Sequence, residues 1–326
     1  MSQTYRCAVL DDYQNVALKI ADWSPLGRQV DVKVFNTSLG EPEALASALQ
    51  GFDIICAMRE RTLFPRALFE KLPNLKLLVT TGLRNAAIDL IAAKDHGVLV
   101  CGTETSGHAT AELTIGLMID LARHISLEAA RMKAGEALKG EKAWQSTIGL
   151  DLYGKTLGII GLGKLGSRVA RIAQALGMNV MAWSQNLTPE KCQEAGVAYA
   201  TKEALLREAD FITIHTQLSA RTKGLIGAAE LAQMKPTAFL INTSRGPIID
   251  EPALIVALRE NRIAGAALDV FDTEPLARDH PFRTLRNALI TPHLGYVTLE
   301  TYRIFYSQTV EDIRAFLDGK PVRMLG

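Results

Sequence analysis

The stretch Gly161-Leu162-Gly163-Lys164-Leu165-Gly166 decides the fold of this 326-residue chain. It follows an apolar run from Thr156 to Ile160 that predicts a strand, and it opens a run from Leu165 to Leu176 that predicts a helix ended by Gly177. The alternative is a structural turn without a ligand. Because a strand precedes the turn and a helix follows it, the context favours dinucleotide binding.

Each glycine of this turn has a separate task in dinucleotide binding. Gly161 permits the turn, Gly163 lets the backbone approach the pyrophosphate, and Gly166 allows close packing of helix and strand. Lys164 and Leu165 stand at the helix N-terminus, where unpaired N–H groups and the helix dipole attract phosphate.

An acidic residue for the ribose hydroxyls is missing from its expected place, about 20 residues further on. The second strand ends Ala182-Trp183-Ser184-Gln185-Asn186, without a carboxylate. Either Ser184 and Gln185 supply neutral hydrogen bonds to an NAD ribose, or a 2'-phosphate is tolerated. No arginine follows to bind that phosphate, so NAD is expected and NADP remains possible.

Short β-type runs alternate with amphipathic helical stretches on both sides of the turn, which indicates parallel sheets with right-handed crossovers. The predicted strands are Tyr5 to Leu10, Val30 to Phe35, Asp53 to Met58, Leu75 to Thr80, Val98 to Cys101, Thr156 to Ile160, Asn179 to Ser184, Phe211 to Thr216, Ala238 to Ser244, Ala266 to Phe271 and Ala288 to Thr291. The predicted helices include Glu41 to Gln50, Ala86 to His96, Ala109 to Ile125, Leu165 to Leu176 and Pro252 to Asn261. The fold class is therefore α/β, with two doubly wound parallel-sheet domains.

Two segments in the middle of the chain differ from this alternation. The helix Ala109 to Ile125 carries apolar residues on more than one face, so we expect it to pack between two bodies. Residues 131–152 break the pattern, and their content of glycine, lysine, Trp144 and nearby Tyr153 suits an excursion or a contact loop.

Composition excludes several classes of function. The chain has 36 basic and 35 acidic residues. It therefore lacks the excess of positive charge that is typical of proteins that bind nucleic acid or an anionic membrane. Its four cysteines are scattered, without metal-ligand spacing or a disulfide framework, so no metal is expected. We find no signal peptide and no apolar run of about 20 residues. The expectation is a soluble cytoplasmic protein.

Arg245 follows the apolar run that ends in Asn242-Thr243-Ser244. It is either an ordinary surface arginine or a ligand-binding residue. Ligands of open α/β sheets bind outside the carboxyl ends of the strands, which is where this arginine stands. Its planar guanidinium is suited to a substrate carboxylate.

Asp269, Glu274 and His293 also follow predicted strands. Acidic residues before Pro275 and a lone histidine are each ordinary features of loops. Together they lie at one edge of the predicted sheet, where the glycine turn would place a nicotinamide. A neighbouring carboxylate favours the protonated imidazole, which can donate a proton to a carbonyl oxygen.

These segments together resemble the signatures of the D-isomer-specific 2-hydroxyacid dehydrogenases, a family that includes phosphoglycerate dehydrogenase and the glyoxylate/hydroxypyruvate reductases. The matching segments are 161–166, 242–249, 268–275 and 291–295, in the family's order. The resemblance implies a Rossmann cofactor domain, residues 102–294, inserted in a flavodoxin-like substrate domain, residues 1–101 and 295–326.

The same resemblance implies a role for each site residue. Arg245 would bind and polarise the substrate, Glu274 would pair with His293, and His293 would be the acid/base. Thr81, Gly82 and Leu83 would bind the substrate carboxylate, and Arg59 and Arg61 would line the mouth of the site unless they are solvated loop charges. The remaining cofactor-binding residues would be Thr110, Thr243, His215, Thr216 and Asp269, the last of them on the nicotinamide carboxamide.

The implied activity is hydride transfer between NAD(H) and a small 2-oxo or 2-hydroxy acid of the D series, such as glyoxylate, hydroxypyruvate or 3-phosphoglycerate. Two domains would close over the substrate and exclude water. The excursion through Trp144 resembles the family's dimerisation arm, so a homodimer is expected. The alternative is an NAD-sensing corepressor on the same scaffold. Against it, we find no polar tail or added peptide-binding segment.

Overall fold

The computed structural model describes residues 4–135 and 144–326. Their contacts divide the chain into two compact units. Unit 1 comprises Met1–Ser106 and Val297–Gly326, and unit 2 comprises Gly107–Tyr296. Unit 1 is thus made from both ends of the chain, and unit 2 from the continuous stretch between them.

Unit 1 contains a five-stranded parallel sheet among its described residues, in the order β2-β1-β3-β4-β5. Its strands are β1 (Tyr5–Val9), β2 (Val30–Val34), β3 (Ile54–Ala57), β4 (Leu77–Thr80) and β5 (Leu99–Gly102). This is the flavodoxin-like order of a doubly wound sheet. The flavodoxin-like prediction is confirmed.

Unit 2 contains a seven-stranded parallel sheet, counted over its described residues, in the order β12-β11-β10-β9-β6-β7-β8. Its strands are β6 (Thr156–Ile160), β7 (Asn179–Trp183), β8 (Ala198–Tyr199), β9 (Phe211–Ile214), β10 (Phe239–Asn242), β11 (Gly265–Leu268) and β12 (Ala288–Ile290). Counted from β6, the order is that of the Rossmann fold with one further strand at its edge. The predicted Rossmann domain is confirmed.

Helices connect these strands, and short polar caps fix where several of them begin. They are α1 (Ala17–Ile20), α2 (Pro42–Leu49), α3 (Arg66–Phe69), α4 (Leu90–Asp95), α5 (Ala109–Arg123), α6 (Ile125–Ala134), α7 (Lys164–Ala175), α8 (Pro189–Glu194), α9 (Lys202–Glu208), α10 (Ala228–Leu231), α11 (Glu251–Arg259) and α12 (Leu299–Leu317). Asp89, Asp250 and Thr298 cap α4, α11 and α12 by accepting a bond from a backbone N–H of the first turn.

Apolar side chains cover both faces of the unit 2 sheet. On β10, Leu240 belongs to one buried cluster, while Phe239 and Ile241 belong to the other. Phe239 stacks on Phe211 with ring centroids 5.2 Å apart. Burial on both faces explains the nearly continuous apolar runs from which these strands were predicted.

Several predicted helices differ from those observed. The helix Ala109 to Ile125 ends at Arg123, because His124 takes a left-handed conformation, and α6 then begins within the same stretch. The break predicted at residues 131–152 is wrong for residues 131–134, which are helical. Residues 136–143 of that segment lie outside the described residues. Helix α4 begins at Leu90 rather than Ala86, because Asp89 is its cap.

Candidate active site

The glycine turn of unit 2 has the shape that a dinucleotide requires. Gly161 has a φ of +100°, and a Cβ there would lie 2.7 Å from the carbonyl oxygen of His215. A Cβ on Gly166 would overlap the carbonyl oxygen of Gly161. By contrast, a Cβ on Gly163 would meet nothing within 4 Å. The turn is therefore tightly packed at Gly161 and Gly166 and open at Gly163, where α7 begins with Lys164. This shape fits a pyrophosphate.

This turn lies where the strand order reverses. β6 pairs with β7 on one side and with β9 on the other. The strands that follow these two neighbours therefore extend the sheet in opposite directions from β6. The N–H of His215, just after β9, donates to the carbonyl oxygen of Ile160 at 2.7 Å. In open α/β sheets, ligands bind outside the carboxyl ends of the strands at such a switch point.

The end of β7 offers uncharged groups. The N–H of Gly161 donates to the carbonyl oxygen of Trp183 at 2.9 Å, which holds the strand end against the glycine turn. Ser184 is half-buried there, and Gln185 is exposed. Their hydroxyl and amide can hydrogen bond to ribose without repelling a phosphate.

His215 is an uncharged ring at physiological pH, because burial lowers its pKa to about 4. Its Nε2 lies 3.0 Å from Oγ1 of Thr213. Its Nδ1 is buried and has no hydrogen-bond partner among the described residues. Thr216, the next residue, is half-buried. Both residues stand beside the glycine turn, in the region where the resemblance expects the cofactor.

Arg245 stands in a turn that is tied to the ends of two strands. Nδ2 of Asn242 donates to the carbonyl oxygen of Arg245 at 2.8 Å, and Oγ of Ser244 donates to the carbonyl oxygen of Ile214 at 2.8 Å. Nη1 of Arg245 donates to the carbonyl oxygen of Ser244 at 2.8 Å. Arg245 is half-buried, so it is not an ordinary solvated surface arginine.

Glu274 and His293 form a pair in the structure. Oε2 of Glu274 lies 2.7 Å from Nδ1 of His293, while Oε1 accepts a bond from the N–H of Phe271 at 3.0 Å. A Cβ on Gly246 would overlap the backbone of Phe271. The absence of a side chain at Gly246 thus lets the segment after β10, which carries Arg245, lie directly on the segment that carries Glu274.

His293 retains access to solvent. Its side chain is 22% exposed, and its ring lies edge-on to Tyr296 with centroids 5.4 Å apart. Its φ of +53° is left-handed. Because Nδ1 faces Glu274, Nε2 is the ring nitrogen that can exchange a proton with a substrate.

Asp269 holds the loop that carries His293. Its buried carboxylate accepts hydrogen bonds from Oγ1 of Thr291 at 2.6 Å and from the N–H groups of Leu294 at 2.7 Å and Gly295 at 2.8 Å. Burial raises the pKa of Asp269, and these hydrogen bonds oppose that rise. The sequence analysis missed the role of Thr291, and only its position two residues before His293 could have indicated it.

Three threonines connect the N-terminus of α5 to this loop. Oγ1 of Thr110 donates to the carbonyl oxygen of Gly295 at 2.7 Å. Oγ1 of Thr114 donates to the carbonyl oxygen of Thr110 at 2.8 Å and lies 2.9 Å from Oγ1 of Thr243. Thr110 and Thr243, both expected near the cofactor, are thus joined through Thr114.

In unit 1, the turn after β4 uses two of its three N–H groups internally. The N–H of Thr81 donates to the carbonyl oxygen of Ala57 at 3.1 Å, and that of Gly82 donates to Oγ1 of Thr103 at 3.0 Å. The N–H of Leu83 has no acceptor in the part of the chain that the structure describes. Thr103, which follows β5, is a contributor to this turn that the sequence analysis missed.

Arg59 lies directly on this turn. Its N–H donates to Oγ1 of Thr81 at 2.8 Å, its Nη1 donates to the carbonyl oxygen of Thr81 at 3.1 Å, and a Cβ on Gly82 would overlap its guanidinium. Arg61 instead donates to the carbonyl oxygen of Asp11 at 2.6 Å and to the hydroxyl of Tyr302 at 3.2 Å. Both arginines are half-buried and hydrogen bonded to the protein.

Residues 4–135 and 144–326 contain neither a metal-binding cluster nor a helix that could span a membrane. No group of three or more histidine, cysteine, aspartate or glutamate side chains there could hold a metal ion. Within the same ranges, every helix is too short or too polar to cross a lipid bilayer.

Known proteins resemble this chain in sequence and in fold. The model of the D-isomer specific 2-hydroxyacid dehydrogenase NAD binding domain matches residues 115–295. D-3-phosphoglycerate dehydrogenase of Synechocystis is 39% identical over 298 residues, which cover 90% of this chain and 51% of that protein. This chain therefore spans about half the length of that relative.

Other relatives match along most of their own length. Glyoxylate reductase of Thermococcus litoralis is 39% identical over 260 residues, 78% of each chain. A solved structure described as phosphoglycerate oxidoreductase from Vibrio cholerae superimposes with a TM-score of 0.90 at 33% identity, covering 97% of this chain and all of that one. Their names support the oxidoreductase interpretation and give none to the corepressor alternative. With residues 115–295 matched by its NAD-binding domain, this chain belongs to the family of D-isomer specific 2-hydroxyacid dehydrogenases.

Proposed function

We propose that this protein catalyses hydride transfer between NADH and the carbonyl carbon of a small 2-oxo acid, and forms the D-2-hydroxy acid. The observation that carries the proposal is the pair of His293 Nδ1 and Glu274 Oε2 at 2.7 Å, on the same sheet as the glycine turn. An imidazole oriented by a carboxylate is a competent proton donor near neutral pH.

The cofactor residues follow from the shape of unit 2 and from the family. When bound, the reduced nicotinamide supplies a hydride. Gly161, Gly163 and Gly166 would admit the pyrophosphate at the start of α7, with Ser184 and Gln185 on the ribose. The remaining positions proposed to contact the cofactor are Thr110, Lys164, Leu165, His215, Thr216, Thr243 and Asp269.

The proposed substrate contacts divide between charge and backbone groups. Arg245 is a planar double donor suited to the substrate carboxylate and carbonyl oxygen. In unit 1, the N–H of Leu83 is the donor of its turn that remains for a carboxylate, since the N–H groups of Thr81 and Gly82 are bonded within the protein. Arg59 places a positive charge beside that turn.

Proton transfer is assigned to His293. In reduction, its Nε2 donates a proton to the carbonyl oxygen of the substrate while Glu274 stabilises the positive charge on the ring. In the reverse direction, the neutral ring accepts the proton of the hydroxyl group. Asp269 keeps the His293 loop in place through its three hydrogen bonds.

Relatives named glyoxylate reductase and D-3-phosphoglycerate dehydrogenase motivate the choice of substrates to test. Purified protein should be assayed with glyoxylate, hydroxypyruvate and the 2-oxo acid formed from 3-phosphoglycerate, each with NADH and with NADPH. We expect NADH oxidation with at least one of these acids. Where the product is chiral, as it is from hydroxypyruvate and from the phosphorylated acid but not from glyoxylate, it should be the D isomer. Lack of turnover by folded, NADH-binding protein would refute the proposal.

We also propose a homodimer, formed through the surface of α6 and residues 144–153. None of the side chains of α6 is buried. Trp144 is 62% exposed, Ile148 90% and Tyr153 81%. Oγ of Ser146 donates to Glu128 of α6 at 2.6 Å, so the segment and the helix belong to one surface. A second copy of the chain would cover this apolar surface.

We propose a cytoplasmic location, because it is the simplest explanation for the reduced state of the cysteine thiols. Cys7, Cys56, Cys101 and Cys192 are all free and buried. Even the pair Cys7 and Cys56, with sulfur atoms 3.7 Å apart, is not bridged. Reducing compartments maintain such thiols. Fractionation of cells that produce the protein would test the location.

A further inference from the structure

We propose that Glu251 and His280 form a positioning pair, which fixes the segment carrying Glu274 against the segment carrying Arg245. The inference rests on the proposed function, since it concerns the placement of the proton-donating pair. Neither residue belongs to the site predicted from the sequence. Both act through Glu274, so they are positioning residues.

One carboxylate holds both ends of the segment around Glu274. Oε1 of Glu251 lies 2.9 Å from Nε2 of His280, and Oε2 accepts a bond from the N–H of Asp272 at 3.4 Å. Asp272 precedes Glu274, and His280 follows it. Both side chains of the pair are largely buried, with 17% of Glu251 and 16% of His280 exposed. Residues 272–280 are thus a loop closed at its base by Glu251.

The contacts of His280 define its tautomer. The N–H of Phe282 donates to Nδ1 of His280 at 3.3 Å, which leaves Nε2 to carry the hydrogen that is donated to Glu251. The His280 ring also packs on the ring of Phe282 with centroids 4.9 Å apart. Phe282 is buried in the unit 2 core. The loop base is therefore anchored to the core through His280.

Glu251 is also part of the segment that carries Arg245. It is the first residue of α11, and only a short 3-10 turn, Gly246–Ile248, and two further residues separate it from Arg245. A Cβ on Gly246 would overlap the backbone of Phe271 and lie close to that of Asp272. The two segments thus meet at Gly246 and are bonded together at Glu251.

Glu274 depends on this base for its orientation. Its Oε1 accepts from the N–H of Phe271, the residue just before the one that Glu251 holds. A shift of residues 271 and 272 would move Oε2 of Glu274 away from His293. Displacement of a catalytic group by about 1 Å can cost about 100-fold in rate.

Other charged groups face the pair and must be considered when pH profiles are compared. Burial raises the pKa of Asp272, and the negative charges of Glu251 and Asp250 raise it further. The positive charge of Lys223 acts in the opposite direction. Asp250, Asp272 and Lys223 stay in place in a His280 variant, so a change in the profile of that variant reports on the pair.

The test compares Glu251→Ala, His280→Ala and the double variant with Glu251→Gln, which keeps the size of the side chain and one of its two acceptor oxygens. Glu260→Ala is the matched control, because Glu260 lies at the other end of α11 in an exposed ion pair with Arg262. We expect both alanine variants to lower kcat about 10- to 100-fold, with a non-additive double variant. The alkaline limb of kcat/KM should move to lower pH, and the Kd of NADH should stay unchanged.

A second measurement does not need turnover. Hydrogen–deuterium exchange of the peptide spanning residues 270–282 should accelerate most in both alanine variants, less in Glu251→Gln, which keeps one acceptor oxygen, and not in Glu260→Ala. If the parent protein has no activity but exchange accelerates, the proposed function fails and the positioning pair stands. If exchange and the pH limb match those of the parent in Glu251→Ala, the positioning pair is refuted.

Discussion

His293 is the residue to which we assign proton transfer. Its Nε2 is left for proton transfer because Nδ1 faces Glu274. Replacement by alanine should lower turnover about 100-fold or more, the usual scale for losing a general acid. The Kd of NADH, measured by fluorescence, should hardly change. Turnover within a few-fold of the parent would remove His293 from the mechanism.

Glu274 supplies the negative charge beside the imidazole. In Glu274→Gln the shape is kept and the charge is lost, so the protonated imidazole loses its stabilising neighbour. Reduction requires the protonated ring, and its alkaline limb should therefore move to lower pH. The measurement is kcat/KM against pH for both proteins. An unshifted limb would contradict the pairing.

Ser184 is the residue on which we expect the choice between NADH and NADPH to depend. A carboxylate at this place would accept hydrogen bonds worth about 1.5–3 kcal/mol and would repel a 2'-phosphate. With Ser184 we expect weak discrimination and some preference for NADH, and Ser184→Asp should increase that preference. Efficiencies with both cofactors should be compared at one salt concentration. A parent that prefers NADPH by orders of magnitude would indicate that a basic residue such as Lys164 or Arg168 binds the phosphate.

At the scale of single residues, the sequence predicted which groups gather, and the family resemblance predicted that Glu274 pairs with His293. The remaining hydrogen bonds were not predicted. Arg245, Glu274 and His293 could be placed together because parallel strands of one sheet end at a common edge. The bonds of Asp269 to the His293 loop, and the use of the Gly82 N–H by Thr103, join residues more than 20 positions apart. Such contacts depend on side-chain rotamers, which periodicity does not encode.

Helix α12 contains a buried acid that makes the stability of unit 1 depend on pH. Burial raises the pKa of Asp312 to about 7, against the opposing charge of Arg323, whose Nε lies 3.0 Å from Oδ1 of Asp312. The folded state then binds a proton that the unfolded chain releases near pH 4. Stability contributed by the neutral acid is present at low pH and is lost as pH rises towards 7.

The substitution Asp312→Asn should abolish the loss of stability that occurs as the pH rises towards 7. The free energy of unfolding of the variant, minus that of the parent, should rise between about pH 5 and about pH 7.5 by more than about 1 kcal/mol, since a change of one in pKa corresponds to about 1.4 kcal/mol. Urea unfolding at both pH values, followed by the fluorescence of Trp23 in unit 1, would measure it. A difference that stays constant with pH would contradict the assignment.

Element prediction succeeded where a run was long and buried, and failed elsewhere for identifiable reasons. Every strand except the two-residue β8 was predicted, most of them from continuous apolar runs. The four-residue helices α1, α3 and α10 are too short to show a period. No helix was assigned to residues 299–317, although Tyr302, Tyr306 and Ile313 are spaced for one buried face and Thr298 is a cap.

The molecule as a whole presents the apolar surface of α6 and residues 144–153, for which we propose a partner copy. Ile148→Lys places a charge at its most exposed apolar residue and should convert a dimer into a monomer, as measured by light scattering after gel filtration. Ile91→Lys is the control, since Ile91 is 72% exposed in unit 1. A parent that is monomeric, or an Ile148 variant that remains dimeric, would contradict the proposal.

Unit 1 is made from two separate stretches of the chain, and this affects the order in which the two units can fold during synthesis. Helix α12 packs on β4 and β5, and Met324 forms an antiparallel bridge with Cys101 at the edge of that sheet. On the ribosome, all residues of unit 2 are available once Tyr296 has emerged. At that stage the sheet of unit 1 still lacks the cover of α12 on one face and the bridge to Met324 at one edge. Unit 1 is completed only by residues 297–326. Synthesis interrupted before them yields a finished cofactor-type domain joined to an unfinished partner that exposes apolar surface, which is the form that quality-control chaperones and proteases recognise.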